Sequence, residues 1–314
     1  MFESLEDLGF HFCFVFNMGS NQLDDVSKLE STLLFRDGNA ALTIESAGQL
    51  HGFGTTGNNG GGGRLINQGT LVADVPGQAL NILQSFTDNA GSVQVVAGAT
   101  LAFGGQYTQT AGSLRLLGGS VFAAVPLTIQ GGLVTGNGTI TGSVTNTGGT
   151  ISPGLSAGSL AITGDLTLGA DAVLSIEVGG LIQGIQYDLL SENGATPLSL
   201  AGTLSLSLIN GFIPQASDSF TVLTSNQNLT ASFFSNVAPG GRLATIDGSG
   251  SFQVNYGITS SAVVLNNFVV PEPGTGTLCL LSAGLLGLGR RRNAHLKRHA
   301  LPRQPDILPR EIAR

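Results

Sequence analysis

A short pattern of apolar and small polar residues recurs along the middle of the chain. Glycine is followed by Ser or Thr and then by an aliphatic residue, after which apolar and small polar side chains alternate. Glycine adopts turn conformations with positive φ at no steric cost, and a period of two is typical of a half-buried β-strand. The pattern therefore predicts many short strands separated by glycine turns. It occurs at Gly69-Thr70-Leu71, Gly91-Ser92-Val93, Gly112-Ser113-Leu114, Gly119-Ser120-Val121, Gly138-Thr139-Ile140, Gly142-Ser143-Val144, Gly149-Thr150-Ile151, Gly158-Ser159-Leu160 and Gly202-Thr203-Leu204.

The spacing of these strands favours one all-β architecture. They follow one another closely and unevenly, and no amphipathic helical period persists between them. We predict a β-solenoid, similar to a parallel β-helix, over residues 39–184, in which each coil stacks on the next around a narrow core of small aliphatic side chains. A β-sandwich remains the alternative, because the repeat has no fixed length.

Residues 185–268 have a different pattern. We expect a broader antiparallel sheet here, forming a β-rich cap or a small sandwich, because the open end of a solenoid must be covered. Segments 220–222, 252–256 and 263–265 are predicted as further strands. Five leucines fall on one parity of the chain, as in a strand with one buried face: Leu198, Leu200, Leu204, Leu206 and Leu208.

The two ends of the chain differ from this body. Residues 1–38 form an atypical N-terminal segment, with an acidic start and an apolar stretch too short for a recognisable signal peptide. Residues 274–289 are an uncharged run of 16 residues, which predicts a hydrophobic helix of roughly 24 Å that could cross a thinned bilayer. The cluster Arg290, Arg291 and Arg292 would hold its end on the cytoplasmic side. Residues 293–314 are predicted to be a disordered basic tail.

Composition and charge exclude several function classes. Of 314 residues 47 are Gly, none is Trp and only 11% are charged, so few ionisable groups remain for catalysis. Residues 1–289 hold 5 Lys or Arg against 18 Asp or Glu, whereas residues 290–314 hold 8 against 2. We therefore expect no nucleic-acid partner, since the body has no basic face. Cys13 and Cys279 allow neither a disulfide framework nor a cysteine metal site, and no cofactor is expected.

Two motifs match catalytic patterns but lack what the chemistry requires. Residues 52–57 fit a dinucleotide-binding glycine pattern, yet the glycine run that follows cannot begin a helix well. Residues 154–158 fit a nucleophile elbow around Ser156, but the only later histidines, His295 and His299, lie in the basic tail. We interpret both segments as turns.

Three carboxylates recur every six residues, at Asp165, Asp171 and Glu177. Paired carboxylates on a β-helix can cleave polysaccharide, and acidic turns can hold Ca²⁺. Because the calcium-binding nonapeptide is absent, we expect no ordered calcium site. Placement in solvated turns is the favoured interpretation, and a polysaccharide-degrading enzyme on a β-helix scaffold remains the alternative.

The C-terminal region resembles a known family signal. Pro271-Glu272-Pro273, the Leu- and Gly-rich run to Gly289 and the three arginines are similar to the PEP-CTERM sorting signal of Gram-negative bacterial surface proteins. The resemblance covers roughly residues 269–292 and implies recognition by an exosortase, a membrane-embedded cysteine transpeptidase that cleaves near the motif. Residues 151–177 are also similar, more weakly, to the strand repeats of autotransporter passengers.

Together these features predict a non-enzymatic protein of the bacterial cell envelope. The segments are an N-terminal segment 1–38, a solenoid 39–184, a cap 185–268, a sorting segment 269–292 and a tail 293–314. The resemblance implies a precursor anchored in the inner membrane and then a body at the cell surface or outside the cell. A structural or adhesive role in a biofilm matrix is expected, with an exosortase, the inner membrane and extracellular polysaccharide as partners. A permanently anchored protein is a further alternative.

Overall fold

The computed structural model describes residues 13–16, 20–23, 26–35, 39–58, 62–229, 232–257 and 261–272. Regular structure in these ranges consists of β-strands alone, as an all-β prediction requires. The first fifteen strands are β1 (Cys13–Phe16), β2 (Ser20–Leu23), β3 (Val26–Leu29), β4 (Thr32–Phe35), β5 (Ala41–Ile44), β6 (Gln49–Gly52), β7 (Gly54–Asn58), β8 (Arg64–Asn67), β9 (Thr70–Ala73), β10 (Ala79–Ile82), β11 (Phe86–Asn89), β12 (Ser92–Val96), β13 (Thr100–Phe103), β14 (Gln106–Gln109) and β15 (Ser113–Ala123). The others are β16 (Leu127–Ile129), β17 (Leu133–Thr141), β18 (Val144–Asn146), β19 (Thr150–Pro153), β20 (Ser159–Ile162), β21 (Leu166–Leu168), β22 (Val173–Val178), β23 (Leu189–Glu192), β24 (Ser199–Leu200), β25 (Thr203–Leu208), β26 (Ser219–Ser225), β27 (Arg242–Ala244), β28 (Ser251–Tyr256) and β29 (Ala262–Val269).

The chain coils as a three-faced parallel β-solenoid, and each coil adds one strand to each face. Face 1 consists of β3, β6, β9, β12, the first half of β15, the first half of β17, β19, β22 and β25. Face 2 consists of β1, β4, β7, β10, β13, the second halves of β15 and β17, β20, β23 and β26. Face 3 is the nine-stranded sheet β2, β5, β8, β11, β14, β16, β18, β21 and β24. The predicted solenoid is confirmed, and the sandwich alternative is wrong.

The repeated Gly-Ser/Thr-aliphatic pattern marks the corners where faces begin. On face 1 its aliphatic residue stacks in register on the equivalent residue of the next coil, and every member of this column is at most 2% exposed. The pattern also begins strands of faces 2 and 3, as at Gly158-Ser159-Leu160 and Gly142-Ser143-Val144. The repeat therefore has no fixed length, because it marks three kinds of corner. The members of the face 1 column that belong to the pattern are Leu71, Val93, Leu114, Ile151 and Leu204, and Leu50, Val134 and Leu174 complete it from outside the pattern.

Close stacking of the corners explains why glycine opens the pattern. A side chain on Gly112 would overlap the carbonyl oxygen of Gly91 in the coil below, and Gly112 also has a φ of +64°. A side chain on Gly91 would overlap the carbonyl oxygen of Gly69 in the same way. The backbone of one corner thus occupies the space that a Cβ atom would need in the next.

The solenoid extends beyond both boundaries that the sequence predicted. Within the described residues, strand β1 from Cys13 pairs in parallel with β4, so the region before residue 39 contributes strands. Parallel pairing also continues past residue 184 through β23, β25 and β26. The antiparallel arrangement expected over 185–268 is wrong for that part and correct only from β26 onward. A period of two reports which side chains are buried and carries no information on strand direction.

The cap that closes the solenoid is antiparallel and rich in aromatic residues. β26 pairs with β29, and β28 lies between β29 and β27. Phe220, Phe252 and Phe268 form a chain of ring contacts, with centroid separations of 5.8 Å and 4.8 Å. Phe234 is 1% exposed. Large rings thus cover the end of a core that is mainly aliphatic elsewhere, where Phe103 and Tyr107 form a separate buried ring contact.

The last strands of faces 1 and 3 have no further coil to pair with, and the loop between β26 and β27 takes that place. The Ser232 hydroxyl accepts from the backbone N–H of Leu200 at 2.6 Å. The backbone N–H of Ser235 donates to the carbonyl of Gly202 at 2.8 Å. Exposed strand edges invite pairing with other chains, so these contacts protect the end of the solenoid.

Candidate functional site

The last strand of the body leads directly into the predicted sorting motif. Phe268 of β29 is 4% exposed, whereas Val269 and Val270 are 46% and 56% exposed. Pro271 and Glu272 follow outside any strand, and the compact unit that contains the body ends at Val270. The fold of the body is therefore complete before the motif begins.

The side chain of Arg242 links the end of β29 to the two neighbouring strands of the cap. The Arg242 guanidinium donates to the carbonyl of Ser251 at 2.5 Å, to the Ser251 hydroxyl at 3.1 Å and to the carbonyl of Asn267 at 2.9 Å. One side chain thereby joins β27, β28 and β29 next to the point where the chain leaves the sheet.

The remaining predicted motif residues fall outside the described part of the chain. These are Pro273 and the cluster Arg290, Arg291 and Arg292, and the predicted hydrophobic helix over residues 274–289 also lies there. Within the described ranges no helix is long and apolar enough to cross a membrane.

The coil separates the three carboxylates that lie six residues apart in the sequence. Asp165 lies at the corner between faces 2 and 3, Asp171 at the next corner, and Glu177 on the outer side of face 1 within β22. A six-residue spacing therefore moves each carboxylate to a different part of the coil perimeter. Among the described residues no group of three or more His, Cys, Asp or Glu side chains could hold a metal ion.

Asp165 instead takes part in an open polar cleft, which we call the corner cleft. It is the stack of corners between faces 2 and 3 in the last coils, with a volume of about 490 Å³. Only small and polar residues line it, and none of them is Lys, Arg or His. The lining residues are Ser143, Thr163, Gly164, Asp165, Asn193, Gly194, Ala195, Asn226 and Gln227.

Hydrogen bonds connect the successive corners of this cleft. Asp165 Oδ1 accepts from the backbone N–H groups of Ala195 at 2.6 Å and Thr196 at 2.9 Å. These N–H groups, that of Thr196 foremost, lower the pKa of Asp165, which stays ionised at neutral pH. The Gln227 amide Nε2 donates to the carbonyl of Gly194 at 3.1 Å, which ties the next corner to this one.

A buried carboxylate lies beneath the cleft. Glu192 is 3% exposed, and its Oε1 accepts from the backbone N–H of Gly194 at 2.5 Å. The Ser225 hydroxyl donates to Oε2 at 2.5 Å. A side chain on Gly194 would overlap carboxylate oxygens of both Glu192 and Asp165, so two acidic groups approach each other at this glycine.

A second buried carboxylate, Asp188, lies at the corner between faces 1 and 2. Its two oxygens accept from the backbone N–H groups of Gly158 and Glu177, each at 2.8 Å. Burial raises the pKa of Asp188 to about 7, despite these two hydrogen bonds, which lower it. Asp188 connects three segments of neighbouring coils and is placed to stabilise them.

The remaining motifs from the sequence do not come together as a catalytic site. Residues 154–158, with Ser156, form the turn between β19 and β20, and Gly154 has a φ of +84°. The one histidine in the described ranges, His51, lies on β6 several coils away, where its Nδ1 is 2.8 Å from Asp74 Oδ2. Ser156 therefore has no imidazole beside it in this part of the chain.

A ladder of buried amides was not predicted from the sequence. Asn67 Nδ2 donates to Asn89 Oδ1 at 2.8 Å, and Asn89 Nδ2 donates to Gln109 Oε1 at 3.2 Å. All three side chains are 0% exposed at the corner between faces 3 and 1, where they link consecutive coils. The available signal was an Asn or Gln two or three residues before the repeated glycine.

Comparison with known proteins identifies the C-terminal region. Residues 269–293 match the family model of the PEP-CTERM protein-sorting motif, which confirms the resemblance carried by Pro271-Glu272-Pro273 and the arginine cluster. The motif implies an exported protein that an exosortase sorts, with an envelope-associated precursor. No curated protein and no solved structure matches the chain.

Proposed function

We propose that the chain is a structural or adhesive protein of the bacterial cell surface or extracellular matrix, delivered there by exosortase processing. The precursor is held in the inner membrane by the segment over 274–289, with Arg290, Arg291 and Arg292 on the cytoplasmic side. The exosortase cleaves near Pro271-Glu272-Pro273 and releases or relinks the solenoid body. The body then acts as a spacer or an adhesive rod.

The observation that carries this proposal is the junction between body and motif. The family match begins at residue 269, and the last strand of the body also ends at Val269. The strand pairing and the aromatic cap are therefore complete on the N-terminal side of Pro271. Cleavage there removes no strand from the fold, as release of an intact body requires.

The shape of the body supports a mechanical role. Stacked parallel coils form a rod whose core side chains repeat in register from one coil to the next. The separation of Asp165, Asp171 and Glu177 around the coil favours this role over a polysaccharide-degrading enzyme. That chemistry requires two carboxylates facing one glycosidic bond. Glu192, the carboxylate that does approach Asp165, is buried and bonded to Gly194 and Ser225.

A replacement of the motif tests the proposal in a host that has an exosortase. With Pro271, Glu272 and Pro273 all changed to Ala, the full-length precursor should accumulate in the inner membrane while the released body disappears. A matched control changes Pro302 and Pro305 to Ala, which are also prolines of the C-terminal region but lie outside the matched residues. Release that continues unchanged in the motif variant would refute exosortase sorting.

A further inference from the structure

We infer that the corner cleft binds an extended, uncharged polysaccharide chain that runs along the solenoid axis. This inference rests on the proposed matrix function, and it names the chemical class of the partner and the surface that contacts it.

The corner cleft extends along the axis of the solenoid over four coils. Its four levels lie on successive coils, at Ser143, at Asp165, at Asn193 to Ala195 and at Asn226 to Gln227. Neighbouring strands are about 4.8 Å apart, so the levels span about 14 Å along the axis. An extended β-linked chain advances with each sugar ring by a distance similar to the spacing between neighbouring coils. Consecutive rings can therefore meet consecutive corners.

The cleft offers polar groups that the fold itself leaves unused. The side-chain amides of Asn193 and Asn226 are exposed and make no hydrogen bond within the described part of the chain. Beside these amides lies the carboxylate of Asp165, which accepts two backbone N–H groups at Oδ1 and also bonds the side chain of Thr196. Sugar hydroxyls both donate and accept, and an amide pair beside a carboxylate supplies both partners.

The charge of the cleft selects against anionic ligands. Asp165 is ionised and Glu192 lies beneath it, while no cationic side chain lines the cleft. A uronate or sulfate group placed there would meet like charge without a counter-ion. The ligand is therefore an uncharged saccharide.

The neighbouring face continues the hydrogen-bonding surface. Thr145, Thr167 and Ser199 stand in register on the outer side of face 3, next to the cleft. Their hydroxyls repeat once per coil, as the levels of the cleft do. Because hydrogen bonds lock the corners together before any ligand arrives, little ordering of the protein opposes binding.

Calorimetry on the full-length chain in mild detergent tests the inference with two probes of the same linkage. We expect cellohexaose, which is uncharged and β-1,4-linked, to bind, and a β-1,4-linked mannuronate hexasaccharide, which is anionic, to bind at least tenfold more weakly. The double variant N193A/N226A should raise the Kd for cellohexaose at least tenfold. Its melting temperature should not change, because neither amide bonds to the fold.

A matched control variant and three possible results decide whether the corner cleft binds an uncharged polysaccharide. Gln106→Ala removes an exposed amide on face 3 several coils away and should leave the Kd unchanged. No binding of cellohexaose, equal binding of the anionic probe, or a double variant that binds like the wild type would each overturn the inference. None of these outcomes bears on exosortase release, which the motif replacement measures separately.

Discussion

The side chain of Asn236 bonds to the backbone of Leu204 in the way that a neighbouring strand would. Asn236 Oδ1 accepts from the N–H of Leu204 at 3.0 Å, and its Nδ2 donates to the carbonyl of Leu204 at 2.8 Å. Leu204 lies on β25, the last strand of face 1. One amide thus satisfies both backbone groups at an edge that no further coil covers.

We predict that Asn236→Ala destabilises the chain and exposes this edge. Both backbone groups of Leu204 lose their partner, which should lower the free energy of unfolding by about 1–3 kcal/mol. Urea denaturation measures that loss, and light scattering should detect increased self-association. Asn193→Ala serves as the control, because that exposed amide has no partner in the described structure. Equal stability of the two variants would contradict the role assigned to Asn236.

The amide ladder should contribute to stability through its middle member. Asn89→Ala removes the acceptor of Asn67 and the donor to Gln109 and leaves both partners buried without that bond. We expect a loss of about 1–3 kcal/mol, since two buried hydrogen bonds disappear while Asn67 keeps the Ser92 carbonyl and Gln109 keeps the Tyr107 hydroxyl. Chemical denaturation of Asn67→Ala, of Asn89→Ala and of the double variant N67A/N89A measures the coupling. Losses that simply add would show that the two amides do not act together.

The glycine corners give a prediction with an internal control. Gly112→Ala places a methyl group against the carbonyl of Gly91 at a φ of +64° and should cost more than about 2 kcal/mol. Gly77 has a similar φ of +77°, but no atom lies within 4 Å of the position that a methyl group would take there. Gly77→Ala should therefore cost only the backbone strain, about 1 kcal/mol. Thermal melting of both variants separates the overlap from the strain, and equal shifts would argue against close stacking of the corners.

Stability should fall as the pH rises from about 4 to about 7, because of Asp188. Its pKa is raised from 3.8 to about 7 in the folded chain, so the folded state holds a proton that the unfolded state releases. The stabilising contribution is complete below pH 4 and is lost as the pH approaches 7, up to about 4 kcal/mol. Urea denaturation at several pH values should show this slope in the wild type and a flatter one in Asp188→Asn. The exposed Asp171→Asn should retain the slope, and a slope that survives in Asp188→Asn would exclude Asp188 as its source.

Much of the architecture could be predicted from local pattern. The Gly-Ser/Thr-aliphatic pattern at Gly69, Gly91 and Gly112 begins a strand of face 1 in each case. Its aliphatic residues there belong to the face 1 column. The sorting motif could be read directly because its parts are contiguous in the chain. Both signals are local, so no knowledge of pairing was needed.

What could not be predicted depends on which segments pair. The alternating leucines from Leu198 to Leu208 fit parallel and antiparallel strands equally well, and the choice depends on the partner strand. Asn236 and Leu204 are 32 residues apart in sequence, and the corner cleft joins four separate turns. Neither relationship has a spacing that a sequence pattern could reveal.

Mass spectrometry of the mature C-terminus in the native host tests the central claim most directly. If an exosortase sorts the chain, the body isolated from the cell surface or medium should end close to Pro271-Glu272-Pro273. No peptide from residues 274–314 should remain attached to it. A surface or secreted body that still carries Arg290, Arg291 and Arg292 would contradict the proposal.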